Sequence, residues 1–205
     1  MLAAAVPVGL VASVTLVWSS SHAAFVGTTA TPQNTWGTGV VQLSNNRAQV
    51  LFDTTSEGLL VPGSSGHRCI TVTYSGNVDT AATGVRLYGS LTGSTELANA
   101  LQVTVEMSAT PLSPVPDADC LSGLGASPYT YPTSTLSAFP SGYSTGLGNA
   151  NGDTVSDWRP TATTDRARTY KISYRLPADS HPTSIQGKEV GMTFTWEARS
   201  HTPGA

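Results

Sequence analysis

ARTYKISYRL (167–176) and EVGMTFTWEA (189–198) decide the fold. Side chains on a strand alternate between its two faces. In the first stretch Tyr170, Ile172 and Tyr174 share one face, with Lys171, Ser173 and Arg175 opposite. In the second, Val190, Met192, Phe194 and Trp196 share the apolar face. A period of two, carried by β-branched and aromatic residues, predicts two long, half-buried strands.

Shorter segments repeat the pattern. CITVTY (69–74) places Cys69, Thr71 and Thr73 on one face and Ile70, Val72 and Tyr74 on the other. Val85 and Leu87 alternate with Arg86, and Val103 and Val105 share a face of QVTVEM (102–107). GVVQL (39–43) and AQVLF (48–52) flank Asn45 and Asn46 and read as a hairpin. GLLVPG (58–63) ends in a Pro-Gly turn. TELANAL (95–101) is the best helical candidate: Thr95 is placed to cap it, and Leu97 and Leu101 stand four apart. Residues 108–157 are rich in Pro, Gly, Ser and Thr and show little periodicity. That is long for a plain loop, so a strand or two is expected around Tyr129–Phe139. Tyr129, Tyr131, Phe139 and Tyr143 are expected to pack onto the sheets. Many short strands and almost no helix predict an all-β single domain, a β-sandwich wound as a jelly roll.

The N-terminus points to export. Residues 2–18 carry no charge and are almost wholly apolar, and Ser21 and Ala23 form the small-x-small pattern that a signal peptidase reads. Cleavage is expected between Ala23 and Ala24, giving a signal peptide of 1–23 and a mature domain of 24–205. The alternative is a retained anchor. A spanning helix needs about 20 apolar residues; this run falls slightly short, and Pro7 and Gly9 interrupt it. Against the signal peptide, nothing basic precedes Arg47. In an exported chain, two cysteines predict one bridge, Cys69 to Cys120. It closes a loop of about 51 residues, worth on the order of 4 kcal/mol in the chain-entropy account. Two buried free thiols are the alternative. Neither cysteine belongs to a C-x-x-C pair, which removes the usual sign of metal or redox chemistry.

Only 11% of residues are charged, the net charge is −3, and 39% of residues are hydrophobic. The apolar content argues against a disordered chain. The ten basic residues are scattered, so the clustered stripe that nucleic acid requires is missing and no such partner is expected. Arg166 and Arg168, the one close pair, alternate as they would on the outer face of a strand.

The search for reactive chemistry leaves little. The histidines are His22, His67, His181 and His201; none stand at i, i+4, and no H-E-x-x-H occurs. A zinc site from His67, His181 and a carboxylate would have to be assembled by folding. Gly142-Tyr143-Ser144-Thr145-Gly146 matches G-x-S-x-G, but Pro140 precedes it and a Gly/Asn-rich stretch follows, so it reads as loop. Asp117 and Asp119 read as a solvated acidic loop. Asn149, Asn151 and Asp153 lack the Gly and final Glu of a calcium loop. No catalytic residue, metal ligand or cofactor is expected. Trp196 is expected in the core, and Trp36 and Trp158, near turns, are assigned there too. No LPxTG sorting motif appears.

Three stretches together resemble the TasA/camelysin family of exported bacterial proteins. They are the junction Ser21-His22-Ala23-Ala24-Phe25; Leu60-Val61-Pro62-Gly63 followed by RCITVTY (68–74); and Gln186-Gly187-Lys188 leading into TFTWE (193–197). The likeness spans most of the chain and is weakest over 108–157. It implies a jelly-roll sandwich of a Gram-positive bacterium, trimmed by a dedicated signal peptidase and held at the membrane only before cleavage. It also implies a homopolymer: extracellular matrix fibres in which each subunit donates its freed N-terminal strand, here Ala24, Phe25 and Val26 onward to about Thr31, to a neighbour. The physics agrees, since an edge strand offers unpaired N–H and C=O groups and a head-to-tail contact propagates. An N-terminal tail that docks nowhere is the alternative. The camelysin branch carries a metallopeptidase label, which makes a secreted peptidase one rival. A carbohydrate-binding module, with Trp36 and Trp158 exposed on one face, is the other.

Overall fold

The computed structural model describes residues 41–47, 50–80, 83–111, 124–125, 127–148, 156–179 and 183–199. Eight strands are described: β1 (Leu43–Asn45), β2 (Ser65–Tyr74), β3 (Val85–Gly93), β4 (Gln102–Met107), β5 (Tyr129–Thr130), β6 (Ser134–Thr135), β7 (Ala167–Arg175) and β8 (Val190–Ala198). Two short α-helices accompany them, α1 (Thr54–Glu57) and α2 (Thr95–Ala100). The chain is all-β, and its strands form two antiparallel sheets that share one core.

The larger sheet runs in the order β1-β2-β7-β4-β5, with β6 also paired to β4. The smaller, among the described residues, is β3 and β8. Register sets the inner face. Ile70 lies opposite Tyr170, Arg68 opposite Ile172, and Val105 opposite Ile172 from the other side. In the small sheet Leu87 faces Trp196, Gly89 faces Phe194 and Leu91 faces Met192. The layers meet through aromatic edges: Tyr170 to Trp196 at 5.5 Å and Phe139 to Phe194 at 5.4 Å between centroids. Trp158 is fully buried, donating from Nε1 to the Asp165 carbonyl at 2.7 Å. All described residues belong to one compact unit, Gly39–Ala205. No described helix is long and apolar enough to cross a membrane.

The strands expected in 69–74, 102–107, 167–176 and 189–198 are observed, as are two short strands within Tyr129–Phe139; burial alternates along β4 and the second half of β7, whereas both faces are buried in 69–74 and most of β8 is half-buried. Tyr131 and Phe139 are in the core. Three local expectations differ. Among the described residues of 39–43 and 48–52, no hairpin pairing is seen; residues 39, 40, 48 and 49 lie outside the described ones. Instead β1 pairs with β2, Leu43 opposite Tyr74, because Asn46 Oδ1 accepts from Thr71 N–H at 2.8 Å and Arg47 Nε donates to the Cys69 carbonyl at 2.7 Å. The cap of α2 is Ser94, not Thr95: Ser94 Oγ accepts from Leu97 N–H. Arg168 is not on an outer face. It is buried beside Tyr170's side of β7 and paired with Asp165, while Arg166 precedes the strand and donates to the carbonyls of Tyr74, Gly76 and Ala162.

Candidate functional site

Among the described residues the small sheet has two strands and the large one six. β8 pairs with β3 on one side and with no described strand on the other. β3 is better covered, since isolated bridges join Val85 to Trp158 and Leu87 to Leu147. The consequence appears in burial. On β3 the inward Val85 and Leu87 are buried while Leu91, opposite Met192, is exposed; on β8 the inward Val190, Met192, Phe194 and Trp196 are all only half-buried.

A groove of about 1470 Å³ opens along that side, between the free edge of β8 and the β1 side of the large sheet. Its floor is core: Ile70, Val72, Leu97, Leu101 and Ile172 line it together with the four half-buried residues of β8. Trp196 Nε1 is buried with no hydrogen-bond partner among the described residues. A buried N–H without an acceptor costs roughly 1–3 kcal/mol, so this edge leaves a polar demand unmet as well as an apolar one.

The mouth is built by residues 50–62. Asp53 caps α1, accepting from Ser56 N–H at 2.7 Å, and that bond holds its carboxyl below the usual range. Glu57, the last residue of α1, pairs with Arg68 of β2 and accepts from Tyr174 Oη at 2.8 Å. The Phe52 ring meets Tyr174 edge-on at 5.2 Å, and Arg68 lies 5.7 Å from its centroid. Burial, and then the bond to Glu57 and its charge, push the Tyr174 hydroxyl up to about 12. These contacts hold the segment on the sandwich while Val50, Leu59 and Val61 stay exposed.

A second polar cluster covers the outer face of the small sheet. Tyr88 donates to Glu197 at 2.6 Å, Glu197 accepts from Arg199 Nε at 2.7 Å, and Arg199 and Arg86 lie over the Tyr143 ring. The Tyr88 bond holds the Glu197 carboxyl down and pushes the Tyr88 hydroxyl up. The cluster holds no nucleophile–base pair. Ser144 sits in a single 3-10 turn, Tyr143–Thr145, rather than at a strand-to-helix elbow.

Several expected site residues lie outside the described residues: Ala23, Ala24, Phe25, Val26 and Cys120, with Trp36, Asp117, Asp119, Asn149, Asn151, Asp153, His22, His181 and His201. Cys69 is buried and disulfide-bonded. His67 is exposed on β2, and no group of three or more potential metal-ligating side chains occurs among the described residues. The groove mouth was not expected from the sequence. Its one signal is the unbroken apolar run Leu59-Leu60-Val61, which is too apolar for a solvated turn. A scan against protein-family models finds no match to this chain, and a search of the curated proteins finds none either.

Proposed function

We propose that this chain is an exported structural protein of the bacterial cell surface or biofilm matrix, similar in kind to the TasA/camelysin proteins. It assembles head to tail when residues 24–31, freed by cleavage after Ala23, add as a strand to the next subunit. The observation that carries this reading is the apolar groove along the edge of β8 that no described strand pairs with. A strand placed there would satisfy backbone groups, cover Val190, Met192, Phe194 and Trp196, and enlarge the two-stranded sheet toward the balanced layers of a jelly roll. Alternate side chains of the arm, Phe25 foremost, supply apolar cover.

The carbohydrate-binding reading loses one of its two aromatic residues, because Trp158 is fully buried and engaged with Asp165. The peptidase reading has no described constellation to act through.

Negative-stain microscopy of chain 24–205 at rising concentration tests the proposal. Filaments are expected, and Phe25→Asp is expected to abolish them. A wild-type chain that stays monomeric under all conditions sinks the reading.

A further inference from the structure

Three large apolar side chains stand in solvent at the groove mouth: Val50 is 66% exposed, Leu59 87% and Val61 61%. This is not a frayed loop. Leu51, Phe52 and Leu60 between them pack against the core, Glu57 is tied to Arg68 and Tyr174, and Gly63 N–H donates to the Leu176 carbonyl at 2.8 Å. The outward side chains are therefore presented by an anchored segment. Exposed apolar area of this kind, continuous with an open groove, marks an interaction surface.

The rim stands at one definite end of the sandwich. Phe52 and Glu57 touch Tyr174, near the end of β7, where Val103 at the start of β4 lies opposite. The helix α2 leads into β4, and its cap Ser94 donates N–H to the carbonyl of Glu189, the residue before β8. The rim and the start of β8 thus share an end. Every described strand pair is antiparallel. An arm that adds to β8 in the same sense runs from beside Ala198 to beside Val190. Residues 24–31 span about 26 Å at ~3.3 Å per residue, close to the length of β8. In such an arrangement residues 32–40 would follow at the rim. Trp36 is the one aromatic residue among them, five positions beyond Thr31 and so within about 17 Å of the strand end.

We propose that Trp36 of the donating subunit docks on Val50, Leu59 and Val61 of the acceptor, as a second anchor beyond the donated strand. The inference rests on the strand-donation reading and adds a named contact to it. Tryptophan suits the role, since it buries a large apolar area at low conformational cost and recurs at binding hot spots.

The test compares critical concentrations, measured by sedimentation, for chain 24–205 and three variants: Trp36→Ala, Leu59→Ser with Val61→Ser, and all three changes together. Each of the first two is expected to raise the critical concentration about tenfold, the effect of losing a hot-spot contact. The triple variant is expected to be no worse than either, because both remove the same contact. Trp36 is also expected to resist acrylamide quenching only in the assembled state, read as the difference between wild type and Trp36→Phe. Thermal melts check that the body stays folded; the changed residues are exposed or lie in the arm. Effects that multiply, or a Trp36→Ala chain that assembles like wild type, overturn the docking but leave strand donation standing if Phe25→Asp still abolishes filaments. Trp36 protected at every concentration would place it on its own rim and overturn the contact between subunits. No filaments from wild type removes both readings.

Discussion

Thr71 and Thr169 face each other across β2 and β7 with their hydroxyls 2.8 Å apart and neither side chain exposed. The sequence placed Thr71 correctly on the face opposite Ile70 and Val72. It did not reveal that this face is buried too, nor that distant residues tie its backbone: Asn46 Oδ1 accepts from Thr71 N–H, and Ser108 Oγ accepts from Thr169 N–H at 3.1 Å. Thr71→Val strands the Thr169 hydroxyl and is expected to cost about 1–3 kcal/mol in urea unfolding. The double change to valine is expected to cost less than the sum of the single changes, since it leaves no orphan. Tyr174 gives a pH signature. Its folded hydroxyl keeps the proton to about 12, whereas the unfolded residue loses it near its ordinary value of 10.0. Between those values the unfolded state binds fewer protons, so stability falls as pH rises. The contribution is on the order of 2 kcal/mol, present below pH ~10 and lost by pH ~12. Tyr174→Phe is expected to flatten that slope in urea melts across the window. Tyr170, also raised by burial, leaves a remainder.

At the scale of elements, periodicity gave strand identity and facing. It could not give depth, which depends on what lies on both flanks of a strand. Val85 and Val190 are both inward-facing valines of the same small sheet, yet only Val85 is buried: Trp158 bridges beside it, whereas Val190 lies at the other end of the sheet, where β3 is exposed and no described strand flanks β8. The same limit bears on the hairpin expected at 39–52: its described residues Leu43–Asn45 pair with the distant β2, a partner that local turn signals at Asn45 and Asn46 could not indicate. The helix at 95–101 was legible from the Leu97–Leu101 spacing, but its cap was displaced by one residue. Ser94 Oγ accepts from Leu97 N–H and donates to Glu96, and the helix buries Leu97 and Ala98. Ser94→Ala is therefore expected to lower stability by about 1 kcal/mol, whereas Thr95→Ala, at an exposed position inside the first turn, is expected to leave it unchanged or raise it by a few tenths of a kcal/mol. Equal losses in parallel urea melts would show that the capping assignment is wrong.

For the molecule as a whole, the two sheets are unequal, and the shortfall falls on the side where the groove opens. A sandwich is stable when each apolar face is covered. Here the inward face of β8 keeps part of its apolar area in water, a free energy of roughly 25 cal/mol per Å² that a further strand would recover. The sequence showed none of this, since both edges of the groove come from segments far apart in the chain. The free subunit should therefore bind an apolar dye such as ANS, and the signal should fall as filaments form. A synthetic peptide of residues 24–31 should compete for the same surface. A ligand that binds only the folded state at 100 times its dissociation constant stabilises it by about 2.7 kcal/mol. Melts of the subunit with that peptide should then shift upward with peptide concentration, and a peptide carrying aspartate at the Phe25 position should leave them unchanged. An upward shift with both peptides would mean binding outside the groove, and a dye signal unchanged by assembly would mean that the open side of β8 is not the contact between subunits.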